Sequence, residues 1–311
     1  MLKDILRQID HSGLKASVVS VDRLVEMRQD LAAFTAGEDL NGFQRFIIDQ
    51  MYQLGLPDCG FTVQSVIIVA MPVPAWAEVV FFHDGRQHRV RSAARWFPGG
   101  LPLEIAVNNV LSAALAQGGY HFAPAQTLPL KRLAACSGLA RYGRNNITYV
   151  EGMGSFHTLA AYYSDLPVEE EQWHAPALLA RCESCAVCRN NCPTGAIRPD
   201  RFLIDNERCL SFFNEAPGQF PDWLPVSAHH CLYDCLRCQE ACPENKLRLG
   251  DVVGPIEFDE RETGALLAGT PLEGFSLEAQ QKIRLLGMDQ WIAAIPRNMM
   301  ILMNNQQESP T

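Results

Sequence analysis

The chain has no apolar run long enough to cross a bilayer. Its longest, Val66 to Val80, is cut by Pro72, Pro74 and Glu78, well short of the roughly 20 residues a spanning helix needs. The opening turns, Met1-Leu2-Lys3-Asp4-Ile5-Leu6-Arg7, carry charge and lack an apolar core with a small-residue cleavage site. No export signal is read there, so the expected location is cytoplasmic, with no membrane partner. No segment repeats at the period of about 20 to 50 residues that marks solenoids and propellers. Disorder is excluded too, because 48% of the 311 residues are apolar and only 20% charged. At about 150 residues per domain the length suits two domains, with core enough to fold without disulfides. One local absence matters for chemistry: no Asp or Glu occurs from Ile105 to Val150.

Charge is unevenly spread. The net charge is −9, which repels polyanions overall. Between Arg86 and Arg144, however, eight basic residues (86, 89, 91, 95, 131, 132, 141, 144) face the single acid Glu104. That segment is +7 and the rest −16. A basic middle can face a phosphate group; scattered surface charge explains it equally well.

Periodicity places the elements. Leu2, Ile5, Leu6 and Ile9 have helical spacing, with Gly13 as the stop. Ser65 to Val73 reads as a buried strand. Glu78 to His83, Asp84-Gly85 and Gln87 to Val90 read as a hairpin. Leu103 to Leu115 reads as a buried helix ending before Gly118-Gly119, and 130 to 139 as another, broken at Gly138. Ile147 to Val150 and Thr158 to Tyr163 are expected strands, and Ser276 to Leu286 and Asp289 to Asn304 expected helices. The expected architecture is an α/β body over residues 1–175, a Cys-rich module over 176–250, and C-terminal helices over 251–311 packing back on the body.

Cysteine is what the chain has in excess, with 11 residues. In an unexported protein such thiols stay reduced and read as metal ligands. Cys182-x2-Cys185-x2-Cys188-x3-Cys192-Pro193 is the run of bacterial two-cluster ferredoxins, in which the fourth Cys serves the other cluster. Cys235-x2-Cys238-x3-Cys242-Pro243 is its pseudo-twofold mate. Cys182, Cys185, Cys188 and Cys242 are therefore assigned to one [4Fe–4S] cluster, and Cys192, Cys235 and Cys238 to a second. Zinc sites use separate CxxC pairs, not overlapping runs. The eighth ligand is open between Cys231, at an x3 spacing, and Cys209, which precedes the apolar Leu210-Ser211-Phe212-Phe213. Cys59 and Cys136 read as packing residues. His229-His230 adjoin the second run and read as solvent-facing linker, with sulfur hydrogen bonding as the alternative.

Two glycine turns are the remaining candidates, Gly138-Leu139-Ala140-Arg141-Tyr142-Gly143-Arg144-Asn145-Asn146 and Gly152-Met153-Gly154-Ser155. Neither is a dinucleotide or Walker loop. Closely spaced glycines let backbone N–H groups approach a flat or anionic ligand, though ordinary turns fit nearly as well.

Taken in order, these segments resemble the epoxyqueuosine reductase family, itself related to the reductive dehalogenases. Ser65 to Ala70 is similar to its early strand, Leu133 to Asn145 to its "LA..AGLGW.GK." segment, and Gly154-Ser155-Phe156 to its "GS.F" turn. Cys182 to Ile197 matches nearly residue for residue; Arg208-Cys209-Leu210-Ser211-Phe212 resembles "RC.SYL", which favours Cys209, and Arg297-Asn298 resembles the terminal "RNA" helix. The resemblance implies a nitroreductase-like corrinoid-binding body with an inserted double-cluster module. It also implies cobalamin as cofactor, held around Gly138, Gly143, Arg144, Asn145, Gly154 and Ser155, with electrons supplied by an external ferredoxin- or flavodoxin-type donor.

The chain departs from that pattern where the family has Arg-Asp-Tyr-His; here Arg95-Trp96-Phe97-Pro98-Gly99-Gly100 stands. It departs again at the "VD.GP" aspartate, where Pro124 falls. A reaction that protonates a leaving oxygen needs a positioned acid; the candidate replacements are Glu104, His121, His157 and Tyr142. The reading is a redox relative with altered substrate, a small molecule or nucleoside. The alternative is an electron-transfer or reductive-activation protein serving a corrinoid protein or another redox partner; an enzyme acting on tRNA ranks third.

Overall fold

Seven β-branched and apolar residues in succession, Val66 to Pro72, can form a strand only if both its faces are covered. In the computed structural model, which describes residues 1–95 and 102–307, Ser65–Pro72 (β2) is that strand, buried from Ser65 to Met71. It pairs antiparallel with Lys15–Ser20 (β1) on one side and His157–Ser164 (β8) on the other, and Phe122–Pro124 (β5) closes the order β1-β2-β8-β5. Helices Leu2–His11 (α1), Arg23–Gly37 (α2), the short Gly42–Phe46 (α3), Leu103–Ala116 (α4) and Leu130–Cys136 (α5) accompany this sheet. Leu24, Met27 and Leu31 of α2 and Leu133, Ala134 and Cys136 of α5 pack against Val66, Ile68 and Ala70, one face of β2. Gly138, just past α5, has φ +75°, where a side chain is strained. A two-stranded ribbon, Arg141–Tyr142 (β6) with Thr148–Tyr149 (β7), follows.

Those elements form one of two compact units, Met1–Pro72 with Leu103–Cys185. The other unit is Val73–Pro102 with Ala186–Thr311. Its sheet is the expected hairpin, Trp76–His83 (β3) and Arg86–Ser92 (β4), turned by Asp84 and Gly85 at φ +49° and +69°, the primed-turn conformation that matches strand twist. Val252–Phe258 (β9) adds to β3 in parallel. This unit also holds the short helices Val187–Asn190 (α6), Leu210–Glu215 (α7) and Arg237–Glu240 (α8), then Glu260–Leu267 (α9), Leu277–Leu285 (α10) and Ile295–Gln307 (α11). Its core joins Val79, Phe81 and Val90 of the hairpin to Phe258, Leu266, Ile283, Ile295 and Met299.

Two expectations need correction. The contacts do not divide the chain at 175 and 250: the hairpin, expected in the body, shares a core with the C-terminal helices, and the division falls inside the cysteine run, between Cys185 and Ala186. The cause is the non-local β3–β9 pairing, invisible to local pattern. The helix expected over Asp289 to Asn304 is instead a tight turn at Met288–Trp291 followed by α11 from Ile295. Pro296 explains the break, since its ring clashes with a preceding helical turn and suits only the first positions of a new helix.

Candidate functional site

Each cysteine run is built on one turn of helix. In the second unit Cys188 lies on α6 and Cys238 on α8, which pack against each other, and each is followed by a Cys-Pro step, Cys192-Pro193 and Cys242-Pro243. The backbone around Cys235 is forced: Asp234 and Leu236 have φ +57° and +61°, a conformation costing about 1–3 kcal/mol at each non-glycine residue and concentrated at functional sites.

Cys192 lies near enough to act on both Cys209 and Cys235, and Cys209 on Cys235. Burial pushes Cys235 up to about 12, and Cys209 and Cys192 add to it. Burial likewise raises Cys209, with Cys192 and Asp234 contributing. Of the three, Cys235 is buried and Cys192 and Cys209 are half-buried; as thiolates they would repel one another, and a bound cation, which deprotonates the thiols it binds, would relieve that repulsion. Among the described residues no three such side chains stand grouped closely enough to hold a bare metal ion. Cys231 is also near enough to feel Cys235, but it sits in the core of the second unit. Its segment bridges to Arg91, its neighbour Leu232 donates its N–H to the Arg91 carbonyl (2.7 Å), and its thiol is buried with Leu232 and Tyr233 in the hydrophobic core.

The loop carrying Cys235 is clamped by residues that sequence reading missed. Asn298 of α11 donates to the carbonyls of Asn214 (2.7 Å) and Leu232 (2.8 Å), and Asn214 donates to that of Asp234 (2.7 Å). Arg297 caps the carbonyls of Phe213 (2.6 Å) and Gly218 (2.5 Å) and lies 3.6 Å over the Phe220 ring. Arg208 holds the Thr194 carbonyl (3.3 Å) and stacks on Trp223. The adjacent Arg297-Asn298 pair was the only sequence signal for this clamp. His229 is buried, not solvent-facing: burial, then Arg297 and His230, lower it to about 4. His230 is also largely enclosed, its Nδ1 on the Ala228 carbonyl at 2.9 Å.

In the first unit the glycine segment is committed to internal contacts. Arg144 donates from Nε to the carbonyls of Cys182 and Cys185, both at 3.2 Å, and its Nη2 also reaches Cys182. Asn145 is buried and donates to the Tyr149 hydroxyl (3.1 Å). A Cβ on Gly143 would stand 2.5 Å from Asn145 and Tyr149, and one on Gly138 2.6 Å from Gln172. These glycines are cradles already filled by the chain's own side chains. Ser155 is buried and Gly154, at φ +59°, shapes the turn before β8. Four of the six residues carried over for cobalamin, Gly138, Gly143, Arg144 and Asn145, are thus closed against the chain's own side chains and carbonyls and do not make an open corrin cradle. The same segment nevertheless steers the first cysteines: Tyr142 exchanges backbone hydrogen bonds with Ala177 and Leu179, which lead into Cys182.

The four candidate acids separate. His157 is nearest the Gly154 turn, but its Nδ1–H donates to the Gly154 carbonyl and its Nε2 accepts from Thr148, both at 3.1 Å. Burial lowers it to about 4, so it stays neutral with both nitrogens occupied. Tyr142 is buried among Arg132, Tyr52 and Cys136, and burial raises it far above the ordinary phenol range. His121 is exposed and bound to Asp165 at 2.7 Å, beside Phe122, which pairs with Ser164. That is the opposite end of β8 from His157, roughly 23 Å away at strand rise. Glu104 is exposed on the first turn of α4, and its charge is felt by Tyr162 in the same far half of β8. Arg95 is described and ion-pairs with Asp234 at 3.8 Å; Trp96 to Gly100 lie outside the described residues.

The basic middle is split. Residues 86–95 belong to the second unit and 131–144 to the first. Arg89 pairs with Glu78, Arg91 with Glu240 and Arg132 with Asp30. Buried Cys136 is pushed up to about 11 by its surroundings, as a packing thiol should be.

With this geometry the comparisons agree. Residues 181–245 match a 4Fe-4S double cluster binding domain. The epoxyqueuosine reductase of Staphylococcus aureus is 23% identical over 250 residues, covering 73% of this chain and 60% of that protein. The chain is a relative of the epoxyqueuosine reductases. It shares their fold: a structure of an epoxyqueuosine reductase with a tRNA-Tyr epoxyqueuosine-modified stem loop superposes with TM-score 0.66 at 18% identity, over 99% of this chain and 82% of that one. The enzyme from Bacillus subtilis, described with an aspartate catalytic loop swung out of its active site, superposes with TM-score 0.61 at 20% identity, over the same shares. The sequence matches span 60% or less of the length of curated relatives such as those from S. aureus and Burkholderia pseudomallei. This chain is a double-cluster iron–sulfur protein, and among its described residues no helix is long and apolar enough to cross a membrane.

Proposed function

We propose that this relative is a reductase with a substrate other than epoxyqueuosine, taking electrons singly from an external ferredoxin- or flavodoxin-type donor. Cys182, Cys185, Cys188 and Cys242 hold one [4Fe–4S] cluster; Cys192, Cys209, Cys235 and Cys238 hold the other. The spacing of the two cysteine runs within the matched double-cluster segment 181–245 carries the ligand set, and the nearness of Cys209 to Cys192, with the core position of Cys231, supports Cys209 as the eighth ligand. The altered substrate is supported by the acid-free stretch Ile105 to Val150 and by the occupied nitrogens of His157.

When bound, the clusters supply one-electron transfer at potentials set by burial and hydrogen bonds. The chain's own residues hold that arrangement. Arg144 orders the loop of Cys182 and Cys185 through its carbonyls, while Asn298 and Asn214 order the loop of Cys235. Cobalamin is the acceptor that the family resemblance implies. Because the carried-over residues do not fit it, no step is derived through it.

That misfit favours a second reading, in which the acceptor is a corrinoid held by a partner protein. Anaerobic reconstitution with EPR, followed by a spectral titration with cobalamin, tests both. Two S = 1/2 cluster signals and about eight irons per chain are expected; zinc or about four irons would refute the double-cluster assignment. Saturable cobalamin binding would select the reductase, and its absence with electron transfer to an added corrinoid protein the second reading. A tRNA substrate would show steeply salt-dependent binding; its absence is expected.

A further inference from the structure

The β3–β4 hairpin breaks its own pattern at its tip. Side chains alternate along a strand, so Val79, Phe81 and His83 share the core face of β3 while Val90, His88 and Arg86 share that of β4. Most of this face is hydrophobic core. At its end, three side chains that carry or can take positive charge replace the apolar series. Such lapses in an otherwise consistent pattern are expected at functional sites.

These three side chains line a cavity of about 430 Å³ with Asp84, Leu267 and Asn304, floored by Met300 and Met303 of α11. The volume lies within the range of small-molecule sites. His88 is 6% exposed, and no hydrogen bond satisfies its ring among the described residues. Its burial, with His83 and Arg86 beside it, lowers its proton affinity, while Asp84 acts the other way. Two carboxylates are near: Asp84, largely exposed, lines the cavity and faces His83 at 3.6 Å, leaving His88 and Arg86, and Glu260 accepts the Gly85 N–H at 2.7 Å. The ring nitrogens of His88 are open to solvent at the cavity it lines, and an oxyanion held between them and a guanidinium gains charge-assisted hydrogen bonds.

We propose that this cavity binds a short-chain organic carboxylate, its carboxylate on His88 and Arg86 and its apolar chain on Leu267, Met300 and Met303. The fork of Arg86 suits a two-oxygen planar group, and the methionine floor adapts to a flexible alkyl chain. The site shares no residue with the cysteine runs or with the glycine segment.

Calorimetry of the full-length reconstituted protein with hexanoate tests it, with inorganic phosphate as a second probe. The expected result is saturable 1:1 binding of hexanoate, weakened at least tenfold by Arg86→Gln and by His88→Gln, with phosphate bound more weakly. Because Arg86 is exposed, its variant keeps the test decisive should His88→Gln disturb the core. No saturable hexanoate binding, or binding unchanged in Arg86→Gln, overturns the site. Phosphate bound as tightly as hexanoate overturns the carboxylate assignment.

Discussion

The cysteine runs and the glycine segment look alike in sequence, each a stretch of small or reactive residues at close spacing, yet they are used in opposite ways. Cys192 acts on both Cys209 and Cys235, like-charged when ionised, with Cys235 set beside Leu210, Leu224 and Ala228, whereas Gly143, Arg144 and Asn145 are consumed by Tyr149 and by the carbonyls of Cys182 and Cys185. Proximity of groups that repel one another needs an external partner. Proximity of groups that satisfy one another does not. That distinction separates a binding site from a scaffold more sharply than motif matching does.

The largest test of this contrast is cluster loss. Cys209→Ala should lower the iron content from about eight to about four per chain and remove one EPR signal, while Cys231→Ala keeps both; the reverse pattern would exchange their roles. Next comes the clamp. Asn298→Ala leaves two buried carbonyls unpaired and should cost about 2–4 kcal/mol, read as a lower urea midpoint together with faster iron release to a chelator.

A third test is acid sensitivity. His157 has a folded-state value of about 4 against an ordinary 6.5. Its contribution is therefore full above pH 6.5 and is lost as pH falls toward 4. The loss should reach about 3 kcal/mol at most, and His157→Gln should flatten that part of the stability profile. Were the slope unchanged in the variant, His157 would not be the neutral structural residue described. The smallest effect is expected at Gly138, where Ala meets Gln172 at φ +75°. A cost of about 1 kcal/mol in thermal stability, with cluster spectra unaltered, would mark it as scaffold.

Legibility followed the range of the interactions. The β2 run, the Asp84-Gly85 hairpin and the stop at Gly138 were readable because burial, primed-turn dihedrals and positive φ are settled within a few residues. The helix expected from Asp289 was misplaced because the apolar pattern was weighed without Pro296. The division into units was not readable at all, since it depends on β9 joining β3 across more than 150 residues of chain. At the candidate site the cysteines were visible by spacing, but His157 and Arg144 looked reactive only while their partners were unknown. The His229-His230 pair, expected in solvent, proved to be interior for the same reason.

Sequence by itself determined the cluster chemistry, because the order and spacing of thiols along a short chain limit what inorganic core they can surround. Only the tertiary structure decided which of Cys209 and Cys231 stands beside Cys192, and which polar residues are already satisfied. Both are questions of what lies opposite a side chain in space, and that is set by packing between segments far apart in the chain.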